Sequence, residues 1–90
     1  MTQHLNIKII GKVQGVYFRA STKQKADVLG VKGFVRNQPD GSVYVEAEAA
    51  PEVLENFLAW CHQGPERAQV LQVETTSAAL QNFVEFEVRR

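Results

Sequence analysis

The chain has 90 residues, 44% of them hydrophobic and 9% aromatic, with ten basic residues against ten acidic and a formal net charge of zero. That length fits one domain, residues 1–90, which buries on the order of 60% of its unfolded surface and holds together without staples. Its single cysteine, Cys61, excludes an intrachain disulfide, and zero net charge argues against gripping nucleic acid by bulk charge. No apolar run approaches membrane-spanning length, and Met1-Thr2-Gln3-His4 is no signal peptide, so the cytoplasm is the expected location. His4 and His62 stand alone and no Cys/His group has zinc-ligand spacing, so neither metal nor cofactor is expected. Nothing demands a partner chain, and the expected state is a monomer.

Residues 5–10 are apolar at Leu5, Ile7 and Ile9, a period of two that predicts a half-buried strand. Residues 20–29 follow helical spacing, with Phe18, Thr22, Ala26 and Leu29 on one face and Gly30 as the stop. Residues 31–37 read as a second strand. Gln38-Pro39-Asp40-Gly41 supplies turn chemistry, and residues 42–48 alternate again, so the two strands should pair as a hairpin. Pro51 and Glu52 open a second helix, whose apolar face is Val53, Leu54, Phe57, Leu58 and Cys61. Cys61 on that face is core and not nucleophile, since neither a helix start nor a basic partner flanks it. Residues 68–75 read as a fourth strand, and residues 76–82 as a polar connection. Residues 83–88 alternate strongly and serve either as a fifth strand or as part of a longer edge hairpin. The order β-α-β-β-α-β plus one further β is the ferredoxin-like split βαβ plan, an α+β sandwich with an antiparallel sheet of four to five strands and two helices on one face.

Between the first strand and the first helix lies Gly11-Lys12-Val13-Gln14-Gly15-Val16-Tyr17-Phe18-Arg19. Glycines let backbone amides approach a ligand closely, and a helix start adds unpaired N–H groups and partial positive charge. With a guanidinium beside them, the stretch suits a phosphate, although two glycines serve equally as plain turn residues. The pattern is not a Walker loop, since Val13 follows Gly11-Lys12. Residues 1–36 carry seven basic residues and one acidic, and residues 37–90 carry three and nine, so the basic half can draw in a small anion. In a βαβ unit the two strands run parallel, so the loop after the first strand and Asn37 at the end of the second should share one rim. Such a pocket holds an arginine, an asparagine and backbone amides, but no strong acid or base. It can still catalyse phosphoryl transfer when the leaving group is a carboxylate, whose conjugate acid has a pKa of about 4 and needs no proton. Asp40, the nearest acid, is accounted for by the turn.

The loop, together with Gly33-Phe34-Val35-Arg36-Asn37-Gln38-Pro39-Asp40-Gly41-Ser42-Val43, closely resembles the acylphosphatases over nearly the whole chain. The resemblance implies a ferredoxin-like hydrolase that splits the carboxyl–phosphate bond of small acyl phosphates without metal or phosphoenzyme. It implies Arg19 as the phosphate-binding arginine and Asn37 as the water-orienting asparagine. The backbone of Gln14, Gly15, Val16, Tyr17, Phe18 and Arg19 then forms the cradle. Gln14 is expected to contribute mainly its amide, Tyr17 and Phe18 to pack, and Arg36 to be a surface charge. Phe34 stands where many members have tryptophan, and Ala49-Ala50 where a glycine often follows the third strand. An RNA-binding module on the same fold needs exposed aromatics on its middle strands, which Val43, Tyr44 and Val45 do not supply. A non-catalytic accessory domain of a larger protein is the alternative to a free enzyme.

Overall fold

The computed structural model describes all 90 residues, in the order β1 (Gln3–Lys12), α1 (Phe18–Leu29), β2 (Lys32–Asn37), β3 (Val43–Ala49), α2 (Pro51–Gln63), β4 (Gln69–Ala78) and β5 (Phe86–Arg89). The alternation read in β1 is realised: Ile7 and Ile9 are wholly buried while Asn6 and Lys8 face the other way. Val35, Val43, Val45 and Ala47 complete the covered face. Against it lie Phe18 and Ala26 of α1 and Leu54, Phe57 and Cys61 of α2, in one cluster of 16 buried residues. Burial pushes the Cys61 thiol up to about 12, which makes it a small core residue and not a nucleophile.

The five strands lie in the order β4-β1-β3-β2-β5. β1 pairs antiparallel with β3 and β4, and β3 antiparallel with β2, so β1 and β2 run parallel with β3 between them. The fold is the expected ferredoxin-like α+β sandwich, but the sheet is mixed. Residues 86–89 form a separate edge strand parallel to β2, with Gly33 beside Phe86 and Arg36 beside Arg89. The short connection favours that direction. β4 ends beside His4 and β5 begins beside Gly33, at the same rim of the sheet. Residues 79–85 must therefore cross four strand spacings, roughly 19 Å, which takes most of the reach of a short extended segment. Entering at that same rim is the shortest path, and it makes β5 parallel to β2. β4 also runs on through residues 76–78, which local composition marks as connection.

A buried polar cluster on the helix-free face holds that crossing in place. His4 is 3% exposed and Glu48 4%. The His4 Nδ1–H donates to Glu48 Oε2 at 2.7 Å, and Nε2–H to Asn6 Oδ1 at 2.7 Å. Glu48 also accepts the backbone N–H groups of Gln81 at 2.5 Å and Phe83 at 3.1 Å, so one carboxylate ties β1, β3 and the crossing together. Phe83 stacks on the His4 ring, centroids 5.9 Å apart, and meets Phe34 edge-on. Burial alone would lower the His4 pKa, but the bonds to Glu48 and Asn6 and the charge of Glu46 outweigh it and raise the value. Burial alone would raise the Glu48 pKa, but the Gln81, His4 and Phe83 donors outweigh it and lower the value.

Both shifts have consequences for stability against pH. A histidine with a raised folded pKa stabilises fully below its unfolded value, near 6.5, and loses that contribution as pH climbs through the folded value. A glutamate with a lowered folded pKa stabilises above its unfolded value, near 4.5, and loses it as pH falls through the folded value. Urea unfolding should therefore show the pair contributing most between about pH 5 and 6.5 and less by pH 8. Glu48→Gln removes one of the two anions beside His4 and leaves Glu46 at 3.2 Å from Nε2, so its stability should fall less over that upper range.

Candidate active site

The cradle is built by side chains that point away from it. Val13 (1% exposed), Val16 (6%) and Phe18 (2%) are driven into the core, and Phe18 packs on Trp60 with ring centroids 5.5 Å apart. Three anchors within six positions leave the intervening backbone to turn outward. Gly15 has φ 75° with nothing within 4 Å of where a Cβ would stand, so its backbone conformation, and not space, calls for glycine. Gly11 sits at the β1–β4 register shift, where a Cβ would collide with the Gln69 carbonyl. Tyr17 caps α1 with φ 62°, a left-handed conformation that costs a non-glycine residue about 1 kcal/mol. Its carbonyl accepts the Ser21 N–H at 3.0 Å and starts the helix.

None of the N–H groups of Gly15, Val16 and Tyr17 finds a backbone or side-chain acceptor within the chain. Phe18 and Arg19 open α1, where N–H groups have no intrahelical partner. Gly15, Tyr17, Phe18 and Arg19 border an open cleft of about 590 Å³, and Val16 is absent from its lining. Arg19 and Asn37 line the same cleft, with Gly15, Tyr17, Val88 and Arg90. Two arginines and no acid line it, so its field is positive. No carboxylate pairs with Arg19. One guanidinium nitrogen, Nη1, donates to the Arg89 carbonyl at 3.1 Å, and the remaining donors stay available. No group of three or more His, Cys, Asp or Glu side chains is arranged to hold a metal ion.

Several residues sit otherwise than expected. Tyr17 is 77% exposed at the cleft mouth, because its left-handed backbone swings the ring outward. Gln14 is absent from the cleft lining, and its side chain bonds instead to the β2–β3 turn, donating to the carbonyls of Gln38 and Ser42. Arg36 is no idle charge: its guanidinium lies over Tyr44, 5.1 Å from the ring centroid, and over Phe34 at 5.7 Å. Asp40, as expected, does the work of a turn, accepting the Ser42 N–H at 2.9 Å, and it also pairs with Lys8 at 3.0 Å. The Ser42 bonds, then Lys8, hold its carboxyl well below the usual range. Val88, Arg90 and the Arg89 carbonyl escape a sequence reading, because they reach the rim only through the parallel pairing of β5.

The family model described as Acylphosphatase matches residues 5–88. The chain belongs to the acylphosphatase family. It is 51% identical to the acylphosphatase of Marinobacter nauticus over 82 residues, 90% of this chain and 89% of the relative. The crystal structure of acylphosphatase from Bacillus subtilis superposes with a TM-score of 0.94 at 30% identity, covering 100% of both chains. An acylphosphatase from Coxiella burnetii gives 0.94 at 31%, covering 98% of this chain and 93% of the other. Family membership thus joins the ferredoxin-like sandwich in agreeing with the motif reading, and no helix is long and apolar enough to cross a membrane.

The loop conformation has a measurable cost. Gly15→Ala should destabilise the protein by about 1 kcal/mol through backbone strain alone, since no atom obstructs the new methyl. Urea unfolding at one pH checks this, and an unchanged midpoint would mean that the loop relaxes.

Proposed function

We propose that the protein hydrolyses small acyl phosphates to a carboxylate and phosphate by direct in-line attack of water. The observation that carries this is the meeting of Arg19, Asn37 and the free loop amides around one acid-free cleft, in a chain of the acylphosphatase family. The phosphoryl oxygens sit in the cradle of residues 14–19, with the Arg19 fork on two of them. The Arg89 carbonyl fixes that fork from behind. The Asn37 amide oxygen accepts a hydrogen bond from water and aims it at phosphorus opposite the leaving carboxylate. The new P–O bond forms to water as the acyl P–O bond breaks, and the water's proton passes to the phosphate oxygens.

No strong acid or base is required. The carboxylate leaves unprotonated, because its conjugate acid has a pKa of about 4. In a loose transition state the nucleophile needs little deprotonation, so positioning and charge stabilisation carry the rate. The same arrangement leaves unactivated monoesters intact, since nothing at the cleft protonates an alkoxide. The cradle reads phosphate and reads little of the acyl group. Soluble, cytoplasmic and monomeric action on a diffusing substrate fits this reading.

A phosphate-release assay with benzoyl phosphate tests it. Arg19→Gln should raise the inhibition constant for inorganic phosphate and cut turnover by about a hundredfold or more, as loss of a charged transition-state donor does. Asn37→Ala should cut kcat by a comparable factor while leaving phosphate inhibition nearly unchanged. A chelator should leave the wild-type rate unaltered. A folded Asn37→Ala protein with full activity would sink the water-positioning role.

A further inference from the structure

Gln14 stands at the start of the cradle, but its side chain reaches away from the cleft. Its Nε2 donates to the Gln38 carbonyl at 2.8 Å and to the Ser42 carbonyl at 2.9 Å. Both protons of the one amide nitrogen are thus spent on two carbonyls of the β2–β3 turn. That turn is closed within itself. The Gln38 N–H donates to the Ser42 carbonyl at 2.9 Å, and the Gly41 N–H to the Gln38 carbonyl at 3.1 Å. The Ser42 hydroxyl lies within bonding distance of Gln38 Oε1 and Asp40 Oδ1. The turn therefore moves as one body, and Asn37 is the residue next to it.

The backbone gives no such link. The β1–β3 ladder ends at Ile9 opposite Val43, and β1 continues to Lys12 bonded only to β4. No backbone hydrogen bond joins residues 13–17 to residues 37–42. Apart from an ion pair between Lys8 and Asp40, both more than a third exposed, Gln14 is the polar tie between β1 with its loop and this turn. An exposed pair of that kind constrains geometry weakly. A half-buried amide with two short bonds constrains it well.

We propose that Gln14 is a positioning residue, whose side-chain amide sets Asn37 in register with the phosphate cradle. This rests on the reading of Asn37 as the group that aims water. A phosphate held in the cradle and a water held by Asn37 react in line only if the two halves of the site keep their spacing. A misplacement of about 1 Å can cost on the order of a hundredfold in rate. Phosphate binding needs only the cradle half, so the tie matters for kcat and not for phosphate affinity.

Gln14→Met keeps the length of the side chain and removes both donors. With native circular dichroism and a cooperative melt, it should lower kcat for benzoyl phosphate about tenfold or more, with inorganic-phosphate inhibition within about twofold of wild type. Gln14→Glu is isosteric and turns a carboxylate toward two carbonyls. Its kcat should be equally low at pH 7 and recover relative to wild type as pH falls and the carboxyl gains a proton to donate. In an Asn37→Ala background, Gln14→Met should cost little more, because the group it positions is gone. Wild-type kcat in folded Gln14→Met overturns the proposal, as does a phosphate inhibition constant that rises in step with the loss of kcat. Full activity in Asn37→Ala overturns the water-aiming reading instead, so the two failures are distinguishable.

Discussion

The site exists because backbone donors are left without partners, and that is stable only because their neighbours are buried. Unpaired N–H groups are costly inside a protein and tolerable where they face a wet cleft. Val13, Val16 and Phe18 fix the loop by filling the core, so that its amides have nowhere to turn except outward. The left-handed conformations of Gly15 and Tyr17 are the local strain of that arrangement. In the proposed function an anion completes what the fold leaves open, which places binding energy at the reacting end of a substrate.

Chain direction supplies the rest. β1, β2 and β5 run parallel, so their carboxyl ends share one rim. From β1 comes the loop, from β2 Asn37, and from β5 the carbonyl that holds the Arg19 guanidinium. β5 is itself steadied from the helix-free face, where the Arg89 guanidinium lies 4.0 Å from the Phe34 ring centroid and its Nη2 pairs with Glu87 at 3.0 Å. The two faces of the sheet thus have separate tasks: one is a core, and the other keeps the strand ends in place.

What could be read from sequence was local or periodic. Alternation in β1 and β3, the helical spacing of Phe18, Thr22 and Ala26, and the turn residues after Asn37 each constrain a few neighbours, and each was legible. The shared rim of Arg19 and Asn37 followed from βαβ topology, which leaves little choice. What could not be read depends on partners far apart in the chain. The Gln14 amide meets carbonyls 24 and 28 positions away, and His4 meets Glu48 across 44. Polar pairing of this sort leaves no periodic trace. The direction of β5 was hidden too, because alternation within a strand says nothing of which way it enters the sheet. Tyr17 misled for a third reason: aromatic character argues for packing, while a single left-handed residue reverses where the ring points.

Cys61 is the chain's one thiol and is fully enclosed beneath α2, with its ionisation held back by the apolar surroundings. A thiol-reactive dye cannot attack it while the helix stays seated, because both access and thiolate are lacking. The native sequence therefore carries its own clock for core opening: the rate of labelling under native conditions counts excursions of the second helix away from the sheet, with no engineered probe.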